Sequence, residues 1–148
     1  MKKMTAFLLT IVLLLAFAGC AEIEPVTAEE FRSTMEEAGL EVFDYTEEIN
    51  SEYCDIAYLA ENEDYWIGFY HYIDEATVQR FYNVMKEDTE EQGGNYTNVS
   101  MQRFARYEAT TSTEYFFVAW AGNTIVYSEC AKADKESVRS ALDLLGYV

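Results

Sequence analysis

The residues that could do chemistry in this chain are few, and their spacing is uninformative for catalysis. His71 is the sole histidine, and it falls in the middle of a strand-like run, Tyr65 to Ile73. Nucleophilic catalysis needs a base beside its nucleophile. Neither Cys54 nor any serine stands in such a context, so His71 reads as a structural strand residue. Zinc asks for three or four ligands from His, Cys and carboxylates, which one histidine and two widely spaced cysteines, Cys54 and Cys130, do not supply. Carboxylates are abundant, as in Glu61, Glu63 and Asp64, or Glu87, Asp88, Glu90 and Glu91. A glycosidase needs one pair at a fixed separation across a cleft, and nothing singles out such a pair. An Asp-x-Asp-x-Asp-Gly calcium loop and a glycine-rich phosphate loop are both missing from the sequence. The expectation is a protein with no catalytic residues, no metal and no cofactor, hence not an enzyme. The alternative is a small enzyme using carboxylates or His71.

The aromatic residues offer a different chemistry. Of twelve tyrosines, most fall in predicted strands, where their β-propensity and half-buried habit explain them. A sharper reading leaves one sheet face uncovered and presents aromatic rings to a partner, since rigid aromatic area dominates interface hot spots. Trp66, Tyr70 and Tyr72 share one phase of their strand and form the expected interaction surface.

The third cysteine, Cys20, ends the stretch MKKMTAFLLTIVLLLAFAGC. Lys2 and Lys3 precede an apolar run from Ala6 to Ala18 that is shorter than the roughly 20 residues a spanning helix needs. This is the pattern of a secretory signal. Its end, Phe17-Ala18-Gly19-Cys20, resembles the lipobox of bacterial lipoproteins, with Phe17 where that family usually carries Leu. The resemblance implies that the Cys20 thiol receives a diacylglyceryl group and that cleavage before it makes Cys20 the new amino terminus. Two acyl chains, at about 0.8 kcal/mol per buried CH₂, hold a protein firmly where one does not. An ordinary signal peptide would instead leave Cys20 as an incidental thiol.

On this reading residues 1–19 are a signal peptide, 20–25 a lipidated cysteine and short linker, and 26–148 one globular domain. The expected location is the extracytoplasmic face of a bacterial membrane. There a disulfide is permitted, so Cys54 and Cys130 are candidates for one, or for two small buried residues. Half of the residues are apolar and 16% are aromatic, enough to build a core. The net charge of −17 becomes −19 once Lys2 and Lys3 leave with the signal. Such acidity argues against nucleic acid and against lying flat on an anionic bilayer. It would attract a cationic protein, peptide or metal ion, and it serves solubility in any case.

The elements that must position these residues can be read in order. Thr27 and Glu30 form a capping box, Val26 can staple onto Phe31, and Gly39 stops a first helix whose inner face is Phe31, Thr34, Met35 and Ala38. Leu40 to Ile49 is either a short strand or an irregular connection. Strands over Tyr53 to Ala60 and Tyr65 to Ile73 flank a polar turn. Asp74 caps a second helix with Val78, Phe81, Tyr82 and Met85 on one face. Gln92 to Val99 reads as a polar loop, and its two glycosylation-type triplets, Asn95-Tyr96-Thr97 and Asn98-Val99-Ser100, read as chance. Strands follow over Met101 to Ala109, Glu114 to Trp120 and Thr124 to Cys130, with Gly122-Asn123 as a hairpin turn. A last helix from Asp134 buries Val138, Ala141, Leu142 and Leu145 and stops at Gly146.

This gives an α+β domain in the order αββαβββα, with helices packed on an antiparallel sheet of about five strands. That order, the Tyr-rich strand Tyr65 to Tyr72, the Gly122-Asn123-Thr124 hairpin and the closing Leu145-Gly146-Tyr147 resemble small Firmicute-type surface lipoproteins. The resemblance implies a lipid-anchored envelope protein of unassigned activity, most simply a non-enzymatic binding domain. An acidic inhibitor or immunity-type protein that neutralises a cationic enzyme is a further alternative.

Overall fold

The computed structural model describes residues 23–49 and 52–148 of the chain; the expected signal peptide, residues 1–19, and the expected lipidation site Cys20 lie outside the described residues. In chain order the elements are α1 (Ala28–Glu37), β1 (Glu41–Asp44), α2 (Thr46–Ile49), β2 (Cys54–Glu61), β3 (Trp66–Tyr72) and α3 (Glu75–Glu91). They continue with β4 (Asn95–Ser100), β5 (Phe104–Thr110), β6 (Glu114–Ala121), β7 (Thr124–Ala131) and α4 (Lys135–Leu144), the last preceded by a 3₁₀ turn at Lys132–Asp134. The strands form one antiparallel sheet in the order β1-β2-β3-β7-β6-β5-β4. Two meanders, β1 to β3 and β4 to β7, meet where β3 pairs with β7, and α3 is the crossover between them.

The sheet is sandwiched, and the alternation within β6 shows why. Tyr115, Phe117, Ala119 and Ala121 enter one core with Phe31 and Met35 of α1 and Val138, Ala141 and Leu142 of α4. Phe116, Val118 and Trp120 enter the other, beneath Val78 and Tyr82 of α3. A strand apolar in both phases is what two covered faces require. Helix starts follow the residues expected of them. The Thr27–Glu30 capping box is present, and Asp74 accepts from the Thr77 amide at 2.7 Å. Gly39, at φ 86°, ends α1 in a conformation a side chain would resist.

The α+β class and the antiparallel sheet are as expected, but the sheet has seven strands rather than five. The ambiguous stretch after Gly39 supplies both a strand, β1, and a short helix, α2. The stretch expected to be a polar loop is β4, paired residue for residue with β5 from Asn95↔Thr110 to Ser100↔Ala105. Its side chains are almost all exposed, so it carries no apolar alternation. Backbone pairing alone makes it a strand, and pattern reading cannot detect that.

Cys54 and Cys130 do not form the disulfide considered for them. Both are buried thiols. Cys54 belongs to the core under α3 and Cys130 to the core under α1 and α4, so the sheet lies between them. Side chains leaving opposite faces cannot bring two sulfurs to bonding geometry. Burial pushes both thiols up, Cys130 to about 11, which keeps them protonated and unreactive at neutral pH.

Candidate binding groove

On the α3 side, the sheet is covered unevenly. The helix lies chiefly over β6 and β7, while the short α2 stands on β2 near the β1 edge. Helix α2 is held there by three bonds. Asp44 Oδ1 accepts from the Thr46 amide at 3.0 Å, Thr46 Oγ1 accepts from the Ala57 amide at 3.0 Å, and the Tyr45 amide donates to Ala57 O at 2.8 Å. Thr46, through its side chain and then its amide, holds the Asp44 carboxyl below its ordinary range.

A concavity of about 330 Å³ opens beside α2, with Tyr45, Ile49, Leu59, Glu61, Trp66 and Tyr70 among its walls and Ala57 at its floor. Tyr45 and Ile49 are 42% and 38% exposed, an unusual allowance for apolar side chains gathered at one place. The groove is apolar with an acidic border. Glu61 lines it directly, and Glu47 and Glu48 are exposed on α2.

Two packing devices shape the inner wall. Tyr70 folds back over Gly68, where an added Cβ would lie 2.9 Å from the Tyr70 hydroxyl oxygen. A glycine within a strand marks such a close approach. Trp66 packs against Tyr127 of β7 with ring centroids 5.4 Å apart, and its carbonyl accepts from Ser128 Oγ at 2.6 Å. Burial pushes the hydroxyls of Tyr70 and Tyr127 up, the latter to about 12 with help from the nearby Glu129 and Asp88 charges. Both rings are therefore neutral across the physiological range.

The structure divides the residues expected to form the interaction surface. Trp66 and Tyr70 are half-buried and line the groove. Tyr72 does not. It is buried, stacked on Phe81 of α3 with centroids 5.0 Å apart. Alternation does place Tyr72 on the face of Trp66 and Tyr70, but α3 covers that end of the strand. Tyr45 and Ile49 were missed, because an isolated four-residue helix leaves no periodicity to read.

His71 lies on the opposite face, with Ile67 and Phe69. Its Nδ1 is 2.6 Å from Asp55 Oδ1, and it borders a second concavity of about 480 Å³ near the start of α1. The hydroxyls lining that space are engaged elsewhere. Thr27 Oγ1 donates to Glu30, and Thr124 Oγ1 donates to Ala121 O. Among the described residues no nucleophile is hydrogen-bonded to this oriented imidazole. Among the described residues no cluster of three or more His, Cys, Asp or Glu could hold a metal ion.

Glu108, which sequence reasoning passed over, is the most elaborately held charge. It is buried between β5 and α4, where it accepts from Tyr115 Oη at 2.9 Å and from Arg139 Nη1, and Arg106 Nε lies 3.2 Å away. Arg106 also donates to Tyr147 O at 3.0 Å, tying the chain end to the sheet. A charged i, i+2 pair in an apolar strand, Arg106 and Glu108, was the available signal.

No family model matches the chain, and no curated protein does. A GTP-binding regulator from Thermotoga maritima has a similar fold, with a TM-score of 0.50 at 11% identity, covering 82% of this chain and 91% of that one. At that identity the likeness concerns the fold alone.

Proposed function

We propose that this chain is a lipid-anchored extracytoplasmic protein whose domain binds another envelope component without catalysing a reaction. The groove beside α2 is its binding surface. The observation that carries this reading is the gathering of Tyr45, Ile49, Leu59, Trp66 and Tyr70 around one open concavity. Its acidic border and the chain's net charge of −17 favour a partner segment that is apolar and cationic, because an opposite charge steers encounter while aromatic burial supplies affinity. The similarity to a GTP-binding regulator is not carried over. A triphosphate would meet an acidic rim, and the sequence offers no glycine-rich phosphate loop.

The anchor rests on the Cys20 segment. In a bacterial host, the wild-type chain should take up label from a fatty-acid analogue and Cys20→Ser should not. A wild-type chain that takes up no label would refute the lipid anchor. Binding is tested by capture from solubilised envelope on immobilised residues 23–148, at low and high salt, with Trp66→Ala as control. Retention that Trp66→Ala removes supports the groove. Retention indifferent to Trp66 but lost in salt favours the acidic-inhibitor reading.

The His71–Asp55 pair supports a second reading, a small envelope enzyme, since an aspartate that orients an imidazole is a recurring part of base catalysis. An activity found in the wild-type domain and lost in His71→Ala would establish it over the binding role.

A further inference from the structure

The two outer edges of the sheet are built differently. An exposed edge strand presents unpaired backbone groups to any other strand, and proteins guard such edges with charge, proline or bulges. Strand β1 is guarded, being only four residues long with Glu41 and Asp44 at its ends. Strand β4 has no such protection. Its six residues, Asn95-Tyr96-Thr97-Asn98-Val99-Ser100, contain no charge and no proline in a chain of net charge −17. They pair in unbroken register with β5. Nearly every side chain of the strand is exposed, Tyr96 to 68%, and only Val99 is partly buried against the core.

The direction of the unpaired groups follows from the hairpin. The Met101 amide donates to Phe104 O at 2.7 Å, and the Thr111 amide to Glu114 O at 2.9 Å. In an antiparallel ladder, hydrogen-bonded and non-hydrogen-bonded pairs alternate from such a closing bond. The N–H and C=O groups of Asn95, Thr97 and Val99 therefore point into β5. Those of Tyr96, Asn98 and Ser100 point out of the sheet.

We propose that β4 is a self-association edge, through which two copies of this chain pair antiparallel about Asn98 to give one continuous sheet. Centring the two-fold axis on Asn98 matches all the outward groups at once, with Asn98 opposite Asn98 of the second copy and Tyr96 opposite its Ser100. A second copy is the occupant that this strand fits. Its neutral side chains place no like charges opposite one another on self-pairing, and all but Val99 are exposed. The acidic end of α3, with Glu87, Asp88, Glu90 and Glu91, leads directly into β4, so the approaching copies repel at long range. Added salt screens that repulsion, with a Debye length of about 8 Å at physiological strength. The dimer is thus strengthened by salt, unlike a contact built on ion pairs. An interface of one strand edge is small, which places it in the weak class with dissociation in the micromolar range, about 10–100 μM.

The test is sedimentation equilibrium of residues 23–148, which contain both cores and their helices, over concentrations spanning that range and at two salt strengths. The expected result is a reversible monomer–dimer equilibrium that tightens with salt. Asn98→Lys puts like charges opposite each other and should weaken dimerisation about tenfold, while its equimolar mixture with Asn98→Glu restores a dimer. Asn98→Pro removes an outward N–H without touching the β4–β5 ladder and should also give monomers. A wild-type domain that stays monomeric throughout, or a dimer unaffected by both Asn98→Lys and Asn98→Pro, would overturn the proposal.

Discussion

Gly68 illustrates how much of the groove depends on a single atom. With no Cβ at this position, the Tyr70 ring lies against the strand and leaves the concavity open. Gly68→Ala should displace that ring into the groove and weaken partner capture, while costing no more than about 1–2 kcal/mol of stability; denaturant melts beside the capture assay check both halves. The tyrosines also set the alkaline limit. Burial raises the hydroxyls of Tyr82 and Tyr127 to about 12 against an ordinary value of 10. Their contribution is complete below pH 10, because neither state is ionised there. It is lost as pH rises towards 12, where only the unfolded tyrosines ionise freely. Tyrosinate absorbance followed with circular dichroism should show ionisation and unfolding together rather than ionisation first. At this scale the sequence was legible only in part. Trp66 and Tyr70 could be assigned to one strand face from alternation. That Tyr72 is covered depends on where α3 lands, which is a tertiary fact.

Among the elements, those with an internal signal were readable. Helices α1, α3 and α4 show apolar residues at three- and four-residue spacing, with Thr27, Asp74 and Gly146 near the expected boundaries. β6 was recognisable from its unbroken apolar run. The elements without such a signal were missed or left ambiguous. Strand β4 exists through its pairing with β5, and α2 through its bonds from Thr46 and Tyr45 to Ala57. The groove depends on α2, which explains why half its wall escaped the sequence reading. Thr46→Val removes the hydroxyl that accepts from the Ala57 amide. The loss of that partly buried bond should cost about 1 kcal/mol and loosen α2, read as faster hydrogen exchange confined to residues near 45–49 and Ala57. The join between β5 and α4 is more critical. Glu108→Ala strands Arg106 and Arg139 without their buried partner, and removing one side of such a network costs about 3–5 kcal/mol. Urea unfolding should show that loss, against a much smaller one for an exposed change such as Glu136→Ala.

For the molecule as a whole, charge and shape pull in complementary directions. Most basic side chains of the domain are engaged internally. Arg106 and Arg139 hold Glu108, Arg103 meets Glu75, Lys86 meets Glu90, and Arg32 and Arg80 sit over the rings of Tyr58 and Tyr53. The surface field is consequently acidic, and a domain tethered at Cys20 would be held away from anionic lipid by its own charge. On this account the groove faces a partner rather than the bilayer. A photoreactive amino acid placed at Ile49, with the same group at the more exposed Leu144 on α4 as a reference site outside the groove, tests that directly in intact cells. The account predicts a discrete crosslinked product of one envelope protein from position 49 and none from position 144. Equal labelling from both positions, or none from either, would contradict a binding role for the groove.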